Sequence, residues 1–306
     1  MQGSTLMATT SLAKYGDVWV DFRFVDGLKL IGGTFDGQGR SAWPFNSCPK
    51  SSTCKLLPTS LKFTSNKHTT VTGVTSLNSK FFHMALVGCE HFKGTGIRIS
   101  APANSPNTDG IHIEASTDVR IQQTTIGTGD DCISIGHGNS QVLISGIKCG
   151  PGHGISVGSL GKYSHEKDVR GLIVRDSTIS GTTNGLRIKT WANSPGSTVA
   201  ANMTFDNIIM KDVANPIIID QNYCPYAACP DSVPSRVKIS DIFFKNIRGT
   251  SSTPTAVILH CSRGMPCQNV QLQDVHLNHP SGISSISSCT NVKATYSGIQ
   301  LPPPCI

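Results

Sequence analysis

The sequence predicts an all-β solenoid, and three observations carry that prediction. One short pattern returns on four successive stretches: Asp109-Gly110-Ile111-His112-Ile113, Asp131-Cys132-Ile133-Ser134-Ile135, His153-Gly154-Ile155-Ser156-Val157 and Asn184-Gly185-Leu186-Arg187-Ile188. The first three copies are spaced by 22 residues and the fourth follows after 31, which leaves room for an outward loop. A fixed period near this length, with one β-branched run per period, marks stacked coils. Within each copy the aliphatic pairs alternate with other residues, the period-2 pattern of a half-buried strand. The composition agrees: 30 glycines and 15% charged residues fit many short strands joined by tight turns. Equivalent strands stacked in parallel lie about 4.8 Å apart. That spacing brings Asp109, Asp131 and His153 into one column, with Asp130, Arg187 and Lys189 beside it.

The elements follow in order. Val18-Trp19-Val20-Asp21-Phe22 opens as a strand, and 28–39 adds short strands punctuated by Gly-Gly and Asp-Gly, which is turn chemistry. A loop with Trp43, Pro44 and two cysteines intervenes. From Leu61 the coils settle into rhythm through Leu61-Lys62-Phe63, Thr70-Val71-Thr72, Phe82-His83-Met84 and Ile97-Arg98-Ile99, with Val119, Val142 and Val169 on the second strands of their coils. Beyond the fourth copy come runs at 203–205, 208–210, 217–219, 237–239, 242–244 and 257–259. No long amphipathic helix and no linker interrupts them, so 1–306 reads as one domain. The Pro302-Pro303-Pro304 stretch cannot continue a ladder and reads as a tail tied down by a cysteine.

Composition narrows the function classes. No window of 18 apolar residues exists, which argues against a membrane span. The net charge of +7 is spread along the chain without a Lys/Arg block, so nucleic acid is not the expected partner, and the chain reads as a monomer. Glycine-rich pieces such as Gly152-His153-Gly154 match no phosphate-binding fingerprint. Eleven cysteines point to an oxidising compartment. Their spacing pairs Cys48 with Cys54, Cys132 with Cys149, Cys224 with Cys229, Cys261 with Cys267 and Cys289 with Cys305. Cys89 is left over in an aliphatic run, as a buried free thiol. The sequon Asn202-Met203-Thr204 agrees with secretion. The polar stretch 1–14 does not, because it lacks the apolar core of a signal peptide.

Carboxylates gathered on one column suit cleavage of a glycosidic bond, one protonating the leaving oxygen while another activates water or attacks the sugar carbon. Crowding raises at least one carboxyl pKa and so supplies the proton. His153 can hydrogen-bond the acid, and Arg187 with Lys189, on one face of one strand, can grip a substrate carboxylate. Each piece alone has a plain reading: Asp130-Asp131 as a solvated turn, Gly-His-Gly as a tight turn, Arg187-Ile188-Lys189 as a wet strand face, Asn107-Thr108-Asp109-Gly110 as an Asx turn. Registration of all four on consecutive coils is what turn chemistry does not require. Strict alternation cannot turn Asp130 and Asp131 to one side, so a bend is expected before Ile133.

Asn107-Thr108-Asp109, Gly129-Asp130-Asp131, Gly152-His153-Gly154 and Arg187-Ile188-Lys189, in this order, resemble the four signature motifs of the polygalacturonases, glycoside hydrolase family 28. The likeness runs from about Gly16 to the C-terminus. The wording from Cys149 to Gly161 is most similar to the plant, pollen-type exo-acting members. The resemblance implies a right-handed parallel β-helix that hydrolyses α-1,4-galacturonan in pectin, with inversion, without a metal or other cofactor, and secreted to the cell wall. Carried over motif by motif, it makes Asp130 the general acid and Asp109 with Asp131 the residues that activate water. His153 then supports protonation of the acid, Arg187 and Lys189 bind galacturonate carboxylate, and Asn107 and Tyr223 contact substrate. The same resemblance implies a signal peptide and an N-terminal capping segment, whereas here Met1-Gln2-Gly3 enters midway through an early coil. The solenoid is therefore expected to lack its first coils and cap. Two other readings stay open at this point: a calcium-dependent pectate lyase, against which the acid pair and His153 argue, and a non-catalytic pectin-binding protein. An acidic pH optimum is expected, because the acid must be protonated.

Overall fold

A computed structural model describes residues 3–48, 54–225 and 233–305. Strands dominate it, and its described helical turns are short 3-10 pieces at Leu12–Lys14, Gly39–Ser41 and Trp43–Phe45. The strands form two parallel sheets of 16 and 10 members. Successive coils feed the two in turn, giving a parallel β-helix wound right-handed, as parallel crossovers are.

The 10-stranded sheet carries the four repeats. Ile111–Glu114, Ile133–Ile135, Ile155–Leu160 and Asn184–Trp191 are consecutive neighbours in it. Register is kept along the whole file: Leu61, Met84, Ile111, Ile133, Ile155, Leu186, Ile217 and Val257 stack in one column. Two residues on, Phe63, Leu86, Ile113, Ile135, Val157, Ile188, Ile219 and Leu259 form a second column. Every one of these side chains is buried. Complete burial of each stabilises the fold by about 1.5–3 kcal/mol, which is why a slip of one residue, exposing a whole column, is not tolerated.

The larger sheet turns a corner within each coil. In early coils two short strands meet across a left-handed residue: Thr70–Thr72 and Thr75–Leu77 around Gly73, Thr117–Gln122 and Thr125–Gly127 around Gln123. From Val169–Ser180 onward the two fuse, yet the corner persists at Asp176, Asn207, Asn246 and Asp274, all at positive φ. Asn and Asp tolerate that conformation best after glycine. Neighbours on the corner also bond to each other, as Asn207 does to Asp176 at 2.7 Å.

Disulfides join Cys48 to Cys54, Cys132 to Cys149, Cys261 to Cys267 and Cys289 to Cys305, as the spacing predicted. Cys89 is a buried free thiol. For the fifth expected pair, Cys224 is disulfide-bonded, and Cys229 lies outside the described residues. No described helix is long and apolar enough to cross a membrane. At the first coils Leu6, Met7, Phe24 and Ile31 are exposed.

Candidate active site

The ladder continues just ahead of the strands and sets the carboxylates. Gly110 N donates to Asp131 O (2.9 Å) and His153 N to Asp130 O (2.8 Å), so 109–110, 130–131 and 153 occupy adjacent rungs. The expected bend is there: the backbone bends at Gly129, Asp130 and Cys132 before Ile133 resumes the strand. Asp130 Oδ1 accepts from the N–H of Asp131 at 2.8 Å, which holds its carboxyl forward while Asp131 turns inward. Glycines flank His153 because nothing larger fits. Gly152 and Gly154 both have positive φ, and a Cβ at Gly154 would overlap the carbonyl oxygens of Asn184 and Gly185 on the next coil.

Three carboxyls sit in three different environments. Asp131 is 1% exposed, and both its oxygens are engaged. Oδ1 accepts from Ser156 Oγ (2.7 Å) and Arg187 Nη2 (2.8 Å), and Oδ2 accepts from Lys189 Nζ (2.9 Å). Burial alone would raise its pKa, but Lys189 and Arg187 outweigh that and hold the group ionised, at about 2. Asp109 is buried too, and among the described residues no cation is bonded to it. Burial first, then the fields of Asp130 and Asp131, push its pKa well above the ordinary carboxylate value, against a Ser134 hydroxyl and the more distant Lys189. Asp130 is the most open of the three, with a side chain 19% exposed. It accepts from Asn107 Nδ2 at 3.5 Å and faces His153 Nδ1 at 3.1 Å. That contact raises the pKa of His153.

The other expected residues are brought to the same place. Asn107 is itself held from behind, because Asn46 Nδ2 donates to its Oδ1 at 3.1 Å. Tyr223 ends the strand Asn215–Tyr223 with its ring 5.2 Å from Lys189 Nζ and 6.0 Å from the Arg187 guanidinium. One expectation is refined. Arg187 and Lys189 are expected to grip substrate, yet their shortest bonds go to Asp131. They act first on a carboxylate of the chain itself.

Asp109, Asp130, Asp131, Asn107, Lys189 and Tyr223 line one cleft of about 530 Å³. Several lining residues were not anticipated. Trp191 stands edge-on to Tyr223 (centroids 5.7 Å, 84°), and the parity that pairs Arg187 with Lys189 already extended to it. His112, Glu114 and His137 line the cleft too, tied together through the carboxylate of Glu114 at 3.2 and 3.3 Å. Lys162, on the outward loop, had no signal in the pattern at all.

Ligand atoms of Asp130, Asp131 and His153 lie within 4.8 Å of one another, as close as a cation site requires. The donor set suits a metal poorly, because both oxygens of Asp131 already face two cations that would repel a third. What the arrangement does suit is acid–base work at one bond: an ionised, immobile carboxylate, a buried carboxyl of raised proton affinity, and an open carboxyl bonded to an imidazole.

Comparison with known proteins agrees with a hydrolase of this design. The profile of the glycosyl hydrolases family 28 matches residues 1–298, and the chain belongs to that family. It is 50% identical to an exopolygalacturonase of Platanus acerifolia over 94% of this chain and 76% of that one. To an exopolygalacturonase of Oenothera organensis it is 47% identical, over 100% and 85%. Among solved structures it superposes on the endo-xylogalacturonan hydrolase of Aspergillus tubingensis with a TM-score of 0.85 at 24% identity, covering 97% of this chain and 85% of that one. On a polygalacturonase of Erwinia carotovora it superposes with 0.73 at 25%, covering 95% and 81%.

Proposed function

We propose that this chain hydrolyses the α-1,4-galacturonosidic bonds of polygalacturonan, releasing sugar from a chain end with inversion. The observation that carries the reading is the division of three neighbouring carboxyls into three environments. Asp130, open to the cleft and bonded to His153, is the acid that protonates the leaving oxygen. Asp109, whose raised proton affinity makes it the stronger base, takes a proton from water with Asp131 beside it. Asp131 is a poor nucleophile, since Arg187, Ser156 and Lys189 occupy both its oxygens; this favours attack by water over attack by the protein. Asn107, Arg187, Lys189 and Tyr223 contact the uronate on either side of the bond. Exo action is supported by the names of the plant relatives most like this chain. The substrate polyanion fits the net charge of +7. The disulfides fit an enzyme that works outside the cell, in the wall.

The test is reducing-end release from polygalacturonic acid, with products resolved by size and their anomers followed by NMR. Monogalacturonate appearing alone, first as the β-anomer, is the expected result. Asp130→Asn should lower the rate at least about 100-fold, the range of a lost general acid. A ladder of oligomers overturns the exo assignment, and first-formed α-anomer overturns inversion. No release by the folded chain overturns the hydrolase itself.

A further inference from the structure

Arg187 and Lys189 are bonded to Asp131, so much of their charge is already neutralised inside the protein. A polyanion sliding through the cleft needs a cation that is not. Among the described residues lining the cleft, Lys162 is the ammonium without a carboxylate partner. Its Nζ lies instead 5.4 Å from the centroids of both the Tyr163 and Trp191 rings. Aromatic faces attract a cation only weakly at such exposed sites, enough to park it but not to compete with a carboxylate. The segment that presents it is built to stay in place. The carboxylate of Glu166 accepts the backbone N–H groups of Gly161, Lys162 and Tyr163 at 2.6, 2.8 and 2.9 Å. Behind the ammonium, Trp191 is fixed by its Nε1 donating to Ser159 Oγ at 2.9 Å and by its edge contact with Tyr223.

We infer that Lys162, Tyr163 and Trp191 form a further subsite for a hexuronate, next along the chain from the two sugars flanking the bond that Arg187, Lys189 and Tyr223 contact. Lys162 pairs with its carboxylate, and the Tyr163 and Trp191 rings hold the ammonium in place for it. This rests on the galacturonan reading and extends it: the cleft reads the charge of a third successive sugar, so a methyl ester there weakens binding.

The experiment compares kcat/KM on digalacturonate and trigalacturonate for the unmodified chain, Lys162→Met and Lys162→Arg. The expected result is a loss in Lys162→Met that is about tenfold larger for trigalacturonate, carried by KM, as one charge-assisted contact provides. Lys162→Arg should keep most of the preference, and methyl-esterified trigalacturonate should show no difference between the unmodified chain and Lys162→Met. An equal loss on both lengths, or none, overturns the subsite. If the unmodified chain hydrolyses neither, the hydrolase reading fails separately, and the subsite is judged by calorimetry. Trigalacturonate binding weakened in Lys162→Met supports it, and unchanged binding overturns it.

Discussion

At Asp131, burial and charge pull in opposite directions, and charge wins: Lys189 and Arg187 keep a carboxyl that is 1% exposed ionised down to about 2. Removing one partner from such a pair leaves buried charge uncompensated and costs about 3 kcal/mol or more. Lys189→Met should therefore destabilise the chain by that amount in denaturant melts. The double variant with Asp131→Asn should recover part of it, and a double variant no more stable than the single one contradicts the pairing. The same residues shape the pH profile. The base must be ionised, and Asp109 has a raised pKa, so kcat/KM should rise with pH through a limb lying above 3.8, the ordinary value. The imidazolium of His153 supports the acid, so activity should fall once His153 loses its proton; the bond to Asp130 raises the pKa of His153, which places the loss above 6.5, the ordinary imidazole value. His153→Ala should move this falling limb to lower pH, and a limb that does not move removes His153 from the acid's environment.

Individual coils set what those residues can do. The strand Ile155–Leu160 begins correctly only because Gly154 passes under the carbonyls of 184 and 185. Gly154→Ala should abolish folded, soluble expression, whereas Gly181→Ala, with open space around it, should be recovered as a folded protein. One coil earlier than Asp109 lies a weakness. His83 is fully buried, bonded to Ser76 at 2.9 Å, and burial lowers its pKa to about 3. Above 6.5 it is neutral folded or unfolded and contributes nothing to the pH dependence. Between 6.5 and about 3 only the unfolded chain takes up the proton, so stability falls as pH falls. The loss reaches about 5 kcal/mol at most, since each tenfold change in proton affinity is worth about 1.4 kcal/mol. His83→Gln should flatten that slope in melts between pH 7 and 4, and an unchanged slope assigns the acid sensitivity elsewhere.

Over the whole molecule, a net charge of +7 meets a polymer of repeated negative charge. Steering of this kind is screened once the Debye length falls below about 10 Å. The rate on polygalacturonic acid should therefore fall severalfold between 10 and 300 mM salt, and the rate on digalacturonate much less. Equal salt dependence would place the effect at the catalytic residues instead. The stacked coils make the cleft possible, since each contributes one or two side chains and none contains a complete site.

The fold and most of this site were legible because a solenoid converts sequence period directly into spatial neighbours. Aliphatic columns at every second residue announced the strands, and equal spacing of the repeats put Asp109, Asp131 and His153 on adjacent rungs. Parity along one strand put Arg187 beside Lys189, and the same parity reaches Trp191. Cysteine spacing predicted the four disulfides described in full. The pattern was silent where the chain leaves it. Lys162 sits on an outward loop with no register, and Asn46 reaches Asn107 from a different coil altogether. Which coils stack, and which faces they turn to the cleft, follows from the order of residues alone, because burial of alternate residues leaves one register open. How charge is shared within the cleft emerges only in three dimensions, where Arg187 and Lys189 bond to Asp131 and, among the described residues, no cation bonds to Asp109. That division depends on small differences in hydrogen-bond length and direction, and no repeat pattern encodes distance so finely.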